Sequence, residues 1–156
     1  MTRFRWSTLN RQQVGRYAEY FVKMEFTMNG FQVYTTDVDD RGIDFVARYE
    51  DGPFFEVQVK SLREEGYAFT QKAKSRLSEH RLVALVLLTE GREPDLFLIP
   101  MTAWLTPNAL LADRNYAERK SDPEFGINVS GKNRTLLEQY RFQSVIERLT
   151  APNGPA

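Results

Sequence analysis

The sequence predicts an α/β domain, a mixed β-sheet with helices on its faces, and three observations carry that prediction. Near the N-terminus Val14, Ala18, Phe21, Val22 and Met28 recur at helical spacing. Next come two strand-like runs, residues 42–49 and 54–61, joined by Glu50-Asp51-Gly52-Pro53. So short a loop makes them a hairpin. Residues 82–88 are then apolar throughout, the pattern of a strand buried on both faces. A strand reached through a helix usually runs parallel to a neighbour, so hairpin and crossover together give a sheet of mixed direction.

Taken in order, the first helix opens at Asn10, an N-cap with Gln13 as its capping-box partner. It stops at Asn29-Gly30, where glycine supplies a left-handed end. Gly15, Glu19, Val22 and Phe26 lie along one line of it, so Glu19 borders the buried stripe. Residues 31–36 alternate and are rich in strand formers, which makes them the first strand. Residues 37–41 form a charged loop before the hairpin, where Gly52 is available for a left-handed position. Beyond the hairpin, residues 68–79 are expected to include a helix, and residues 96–99 a short strand stopped by Pro100. Residues 102–111 look helical around Trp104, and 126–130 read as a last edge strand. Residues 135–149 are expected as one amphipathic helix carrying Leu136, Leu137 and Tyr140. The order through the first four strands is α-β-β-β-α-β. Residues 1–150 then make a single domain, and residues 151–156, with two prolines and a glycine, a disordered tail.

Composition removes several classes of function. The 156 residues include no cysteine, which excludes thiol nucleophiles, disulfide scaffolds and Cys-based zinc sites. The single histidine, His80, argues against a His-dependent triad or a multi-His metal site. No apolar run approaches membrane-spanning length and no signal-peptide core is present, so the expectation is a cytoplasmic protein without membrane contact. Lys and Arg number 21 and so do Asp and Glu, for a net charge of zero. Cations are unevenly spread, however. Arg3, Arg5, Arg11 and Arg16 all precede the first acidic residue, Glu19, and Lys72, Lys74 and Arg76 form a second cluster. Arg16, Lys72, Lys74 and Arg76 are therefore candidate phosphate contacts, with a solvated surface as the alternative.

The hairpin carries the chemistry. Asp44, Val46 and Arg48 share one strand face, and Phe54, Glu56, Gln58 and Lys60 share a face of the next strand. A hairpin centred on Asp51 puts Asp44 opposite Gln58, with Cβ atoms about 5 Å apart. Glu56 and Lys60 lie roughly 7 Å to either side of Gln58 along the strand. A hard divalent cation takes oxygen ligands such as a carboxylate, an amide carbonyl or backbone carbonyls. Asp44 is the candidate metal anchor. Lys60 is the candidate for orienting water and stabilising charge on a reacting phosphate.

These residues resemble the PD-(D/E)XK nuclease superfamily, whose core runs helix, three antiparallel strands, helix, strand. The resemblance spans roughly residues 11–100. Gly15-Arg16-Tyr17-Ala18-Glu19 resembles the first-helix motif of resolvase-like members, in which the glutamate helps bind metal. Gly42-Ile43-Asp44-Phe45-Val46 looks like the strand bearing the acidic ligand, and Gln58-Val59-Lys60 occupies the (D/E)XK position. The resemblance implies a restriction-endonuclease-like core and a Mg2+-dependent site, with Mn2+ as substitute, formed by Glu19, Asp44, Gln58 and Lys60. Asp44, Gln58 and Glu19 would be its metal ligands. Two departures stand out. Gln58 replaces the usual acidic residue, as in the Gln-X-Lys variant of Mrr-like restriction enzymes, and Ile43 stands where the motif has proline. Glu56, two residues before Gln58 on the same face, is the carboxylate available to compensate.

Two functions follow. One is a Mg2+-dependent DNA endonuclease of restriction, repair or mobile-element defence, for which a homodimer is the simplest way to cut both strands. The other is a catalytically inactive module of the same fold that binds nucleic acid or a protein partner.

Overall fold

Asn10 opens the first helix as its sequence suggests. In the computed structural model, which describes residues 3–38, 41–116 and 120–152, its side chain accepts from the Gln13 N–H, and the Gln13 side chain accepts from the Asn10 N–H. Helix α1 (Arg11–Met28) buries Val14, Ala18, Val22 and Phe26 and ends at Asn29, with Gly30 at φ +88. Met28, placed by its spacing with the apolar set, lies past the stripe and is exposed.

Strands β1 (Phe31–Thr35), β2 (Phe45–Tyr49) and β3 (Phe54–Arg63) form an antiparallel meander. The pairs Arg48↔Phe54 and Val46↔Glu56 centre the hairpin on Asp51. The left-handed position in its loop falls to Glu50 (φ 50) rather than Gly52. The Gly52 N–H instead closes the turn on the Tyr49 carbonyl, and Arg48 Nε donates to the Gly52 carbonyl at 2.7 Å. Strand β5 (Arg81–Leu88) runs parallel to β3, and β6 (Asp95–Pro100) antiparallel to β5, for a sheet order β1-β2-β3-β5-β6.

Every residue of β5 is buried. Leu82, Ala84, Val86 and Leu88 face a core shared with α1 and with α3 (Phe142–Thr150). Val83, Leu85 and Leu87 face a second core. Each such leucine contributes about 1.5–3 kcal/mol on transfer from water, so a strand apolar on both faces needs two covering layers. The second cover is a further sheet of β4 (Gly66–Gln71), β8 (Glu124–Val129) and β7 (Leu111–Arg114), in the order β4-β8-β7.

That second sheet overturns several expectations. Residues 66–71 are a strand followed by one 3-10 turn, Lys72–Lys74, and no α-helix lies between β3 and β5. Ala68 and Thr70 face inward while Phe69 is half exposed, a period of two that pairing with β8 enforces over the helix propensity of the residues that follow. Strand β8 is the centre of its sheet rather than an edge, and buries Phe125, Ile127 and Val129. Around Trp104 only a 3-10 segment forms, Met101–Leu105, ahead of Pro107. The C-terminal helix is broken into α2 (Arg134–Leu137), a 3-10 turn and α3. At the break Arg141 is extended (φ −53, ψ 133), bridges Phe97 of β6 and binds Glu138. Of the expected tail, Ala151 and Pro152 are exposed; residues 153–156 lie outside the described residues. Among the described residues no helix is long and apolar enough to cross a membrane.

Trp6 is buried in the core, and its indole N–H donates to the Arg92 carbonyl at 3.1 Å. His80 packs edge-on against Phe55, a structural place. Tyr67 lies across the outer face of β8 and donates to the buried Glu124. Burial and that carboxylate push its phenol well up from its ordinary value. A Cβ at Gly126 would overlap the Tyr67 ring. We therefore expect Gly126→Ala to lower the unfolding free energy by about 1–3 kcal/mol through overpacking. Denaturant titration checks this, and an unchanged midpoint would contradict the packing.

Candidate active site

The two strands of the hairpin part company at Asp44. The next step of their register would set Asp44 opposite Gln58, but the ladder ends with Phe45↔Val57. The Asp44 N–H donates to the Val57 carbonyl at 2.9 Å, and Asp44 Oδ2 accepts from the Val59 N–H at 2.6 Å. A carboxylate thus takes the N–H that a continued ladder would give to a strand carbonyl. This bond is charge-assisted, which fixes the side chain at the mouth of the strand pair.

Above that mouth runs the first half of α1. Asp44, Val59 and the helix residues Asn10, Gln13, Gly15, Arg16 and Glu19 line a cleft of about 720 Å³. Gly15 has no atom within 4 Å of where a Cβ would stand, so the helix surface there is open. Glu19, half-buried beside the apolar stripe, accepts from Lys23 Nζ at 3.2 Å and has Arg16 Nη1 at 3.7 Å. The ammonium of Lys23 also lies 5.9 Å from the centre of the Phe45 ring. The cleft therefore holds two carboxylates from elements far apart in sequence, with an arginine at its rim.

The other candidates are placed differently. Gln58 turns its amide toward Gly42, where the backbone takes φ +70. A Cβ at Gly42 would stand 3.1 Å from the Gln58 amide nitrogen and 3.5 Å from Arg81 Nη2, so the positive φ favours glycine and the space above it is tight. Lys60, half-buried, pairs in register with Leu85 of β5 and is not among the residues lining the cleft. Glu56 is held away from it, with Arg81 Nη1 at 3.2 Å and Arg76 Nη2 at 3.5 Å. Lys72 binds Asp113 and, at 2.7 Å, the Asn115 side chain, while Lys74 and Arg76 are exposed. Among the described residues no group of three or more acidic or histidine side chains is clustered as metal ligands would be.

Arg81 is the residue that sequence reasoning passed over. Its side chain is buried at the start of β5, and its Nη2 donates to two backbone carbonyls, Arg41 at 2.7 Å and Lys74 at 2.6 Å. Together with the Glu56 ion pair this ties the loop before β2, strand β3 and the turn after β4 to one guanidinium. The available signal was an arginine directly before seven apolar residues.

The fold these elements define is restriction-endonuclease-like. No family model matches the sequence, and no curated protein matches it. Several solved structures do superpose, among them two nucleases. A Holliday junction resolvase from the archaeal hyperthermophile Archaeoglobus fulgidus is similar at 17% identity, over 85% of this chain and 94% of its own, with a TM-score of 0.55. A bacterial homing endonuclease is similar at 15% identity, over 91% of this chain and 95% of its own, with a TM-score of 0.51.

Because Arg81 satisfies Glu56 and two carbonyls at once, Arg81→Met should cost about 3 kcal/mol of unfolding free energy. Denaturant unfolding measures this, and a variant as stable as the parent would show that the guanidinium is not the pin described.

Proposed function

We propose that this chain is a divalent-metal-dependent DNA endonuclease whose chemistry takes place in the cleft between α1 and the β2–β3 junction. The observation that carries this reading is the meeting of Asp44 and Glu19 in one open cleft of a nuclease-type fold. The donor set fits Mg2+, which is commonly held by one or two carboxylates and completes its shell with water and substrate phosphate oxygens. Mn2+ would serve in its place. When bound, the ion polarises the phosphoryl oxygen and makes water more acidic.

The chain's own residues supply the rest. Asp44 is the primary anchor, because its side chain is held by the Val59 N–H. Glu19 is the second ligand, and its ion pairs with Lys23 and Arg16 orient the carboxylate. Arg16, at the rim, attracts a phosphate. Lys60 follows Val59, the β3 residue at the edge of the cleft, and from that strand end its ammonium is the group assigned to steady the negative charge that grows on the phosphate during attack. Gln58 acts as a positioning residue, since its amide packs against Gly42 and so sets how the loop delivers Asp44. Glu56, already bound by two arginines, is left out of the ligand set. One cleft per chain cuts one strand, so cleavage of both strands calls for two copies.

The second reading, a nucleic-acid-binding module that does not cut, is favoured by the amide at Gln58 and by the lack of a three-ligand cluster among the described residues. One experiment separates the two. Cleavage of linear and branched DNA is measured with Mg2+ or Mn2+ for the parent, Asp44→Asn and Glu19→Gln. The endonuclease reading expects metal-dependent cutting that falls on the order of 100-fold or more in each variant, with far-UV circular dichroism unchanged. DNA bound but left intact by the parent would support the binding module. Cleavage undiminished in both variants would remove the site assignment.

A further inference from the structure

Beside the cleft lies a pocket of about 430 Å³ that the proposed chemistry does not use. Five cationic side chains line it, those of Arg41, Lys72, Lys74, Arg76 and Arg81, against the single carboxylate of Glu56. The chain as a whole carries no net charge, so this is a strong local departure. Glu56 is matched by Arg81 and Arg76, and Lys72 by Asp113. Arg41 and Lys74 make no ion pair among the described residues.

The backbones beneath Arg41 and Lys74 are held together. Arg81 Nη2 donates to the carbonyls of both. One buried nitrogen therefore fixes the backbones of the two residues that bring surplus positive charge to the pocket. Ile43 lines this pocket and Asp44 lines the cleft. Their Cα atoms are adjacent in the chain, about 3.8 Å apart. Cleft and pocket thus adjoin at one peptide, the proximity that a polyanion spanning both would use.

We propose that this pocket is a phosphate subsite, in which Arg41 and Lys74 seat the DNA backbone next to the phosphate being cut. The proposal rests on the nuclease reading of the cleft for its orientation. Arg81 is its positioning residue, holding both backbones without itself being needed as a phosphate contact. The site recognises backbone charge and carries no base information.

Binding measured without divalent cation keeps the subsite separate from catalysis. A short fluorescent DNA duplex is titrated in EDTA over a series of salt concentrations. The proteins compared are the parent, the double variant Arg41→Ala/Lys74→Ala and the control Lys120→Ala/Lys132→Ala, which removes equal charge from exposed positions elsewhere. Each phosphate contact contributes about 0.9 to the slope of log K against log salt. The pocket variant should therefore lose about 1.8 of that slope and bind more than about tenfold more weakly at low salt, while the control keeps the parent slope. Three outcomes would overturn the subsite: a parent slope in the pocket variant, an equal loss in the control, or no binding by the parent at low salt. A pocket-dependent slope in a protein that leaves DNA intact when Mg2+ is supplied would overturn the nuclease reading alone.

Discussion

The hydrogen bond from the Val59 N–H to the Asp44 carboxylate is the interaction on which the site depends. Up to Phe45 the β2–β3 pair is an ordinary antiparallel ladder, with its register set by a short loop. One residue earlier, a side chain takes the place of the strand backbone. The strands then separate, the space between them opens under α1, and the group that satisfies the orphaned N–H is the same group that faces the opening. One bond thus sets where the carboxylate stands. A neutral side chain of similar shape could hold the N–H, but it would bring no anionic oxygen to the cleft.

Around that point the fold supplies rigidity from two directions. Strand β5, apolar on both faces and buried along its length, fixes β3 by parallel pairing over residues 56–63. Arg81 at its first position gathers the loop before β2 and the turn after β4 onto one buried guanidinium. Such a guanidinium is stable only while all its acceptors are present. Gly42 takes a positive φ beside this arrangement, with the Gln58 amide close to where a Cβ would stand. The cleft and the basic pocket are two sides of one strand end, separated by the step from Ile43 to Asp44.

Much of this was legible in the sequence where local rules decide the outcome. The Asn10–Gln13 capping box, the Asn29-Gly30 stop and the hairpin centred on Asp51 depend on residues a few positions apart. The burial of residues 82–88 follows from composition alone. What stayed hidden depended on distant partners. Residues 66–71 become a strand because β8, nearly sixty residues on, offers them a ladder. The C-terminal helix breaks at Arg141 because Phe97 pairs with it. Strand parity put Asp44 opposite Gln58, but the ladder ends at Phe45↔Val57 and Asp44 bonds Val57 and Val59 instead; parity fixes only Cβ directions. Long side chains then follow their charges, which is why Glu56 goes to Arg81 and Arg76. Glu19 was legible as a residue bordering the buried stripe, and the structure adds that it lines the same cleft as Asp44.

The central claim is that Asp44 and Glu19 together form a divalent-metal site. The most direct measurement is anomalous diffraction from crystals soaked in Mn2+, with Asp44→Asn crystals soaked in parallel. The account predicts a manganese peak between the Asp44 and Glu19 carboxylates in the parent, absent from the variant. A peak elsewhere, or none in the cleft at saturating Mn2+, would contradict it.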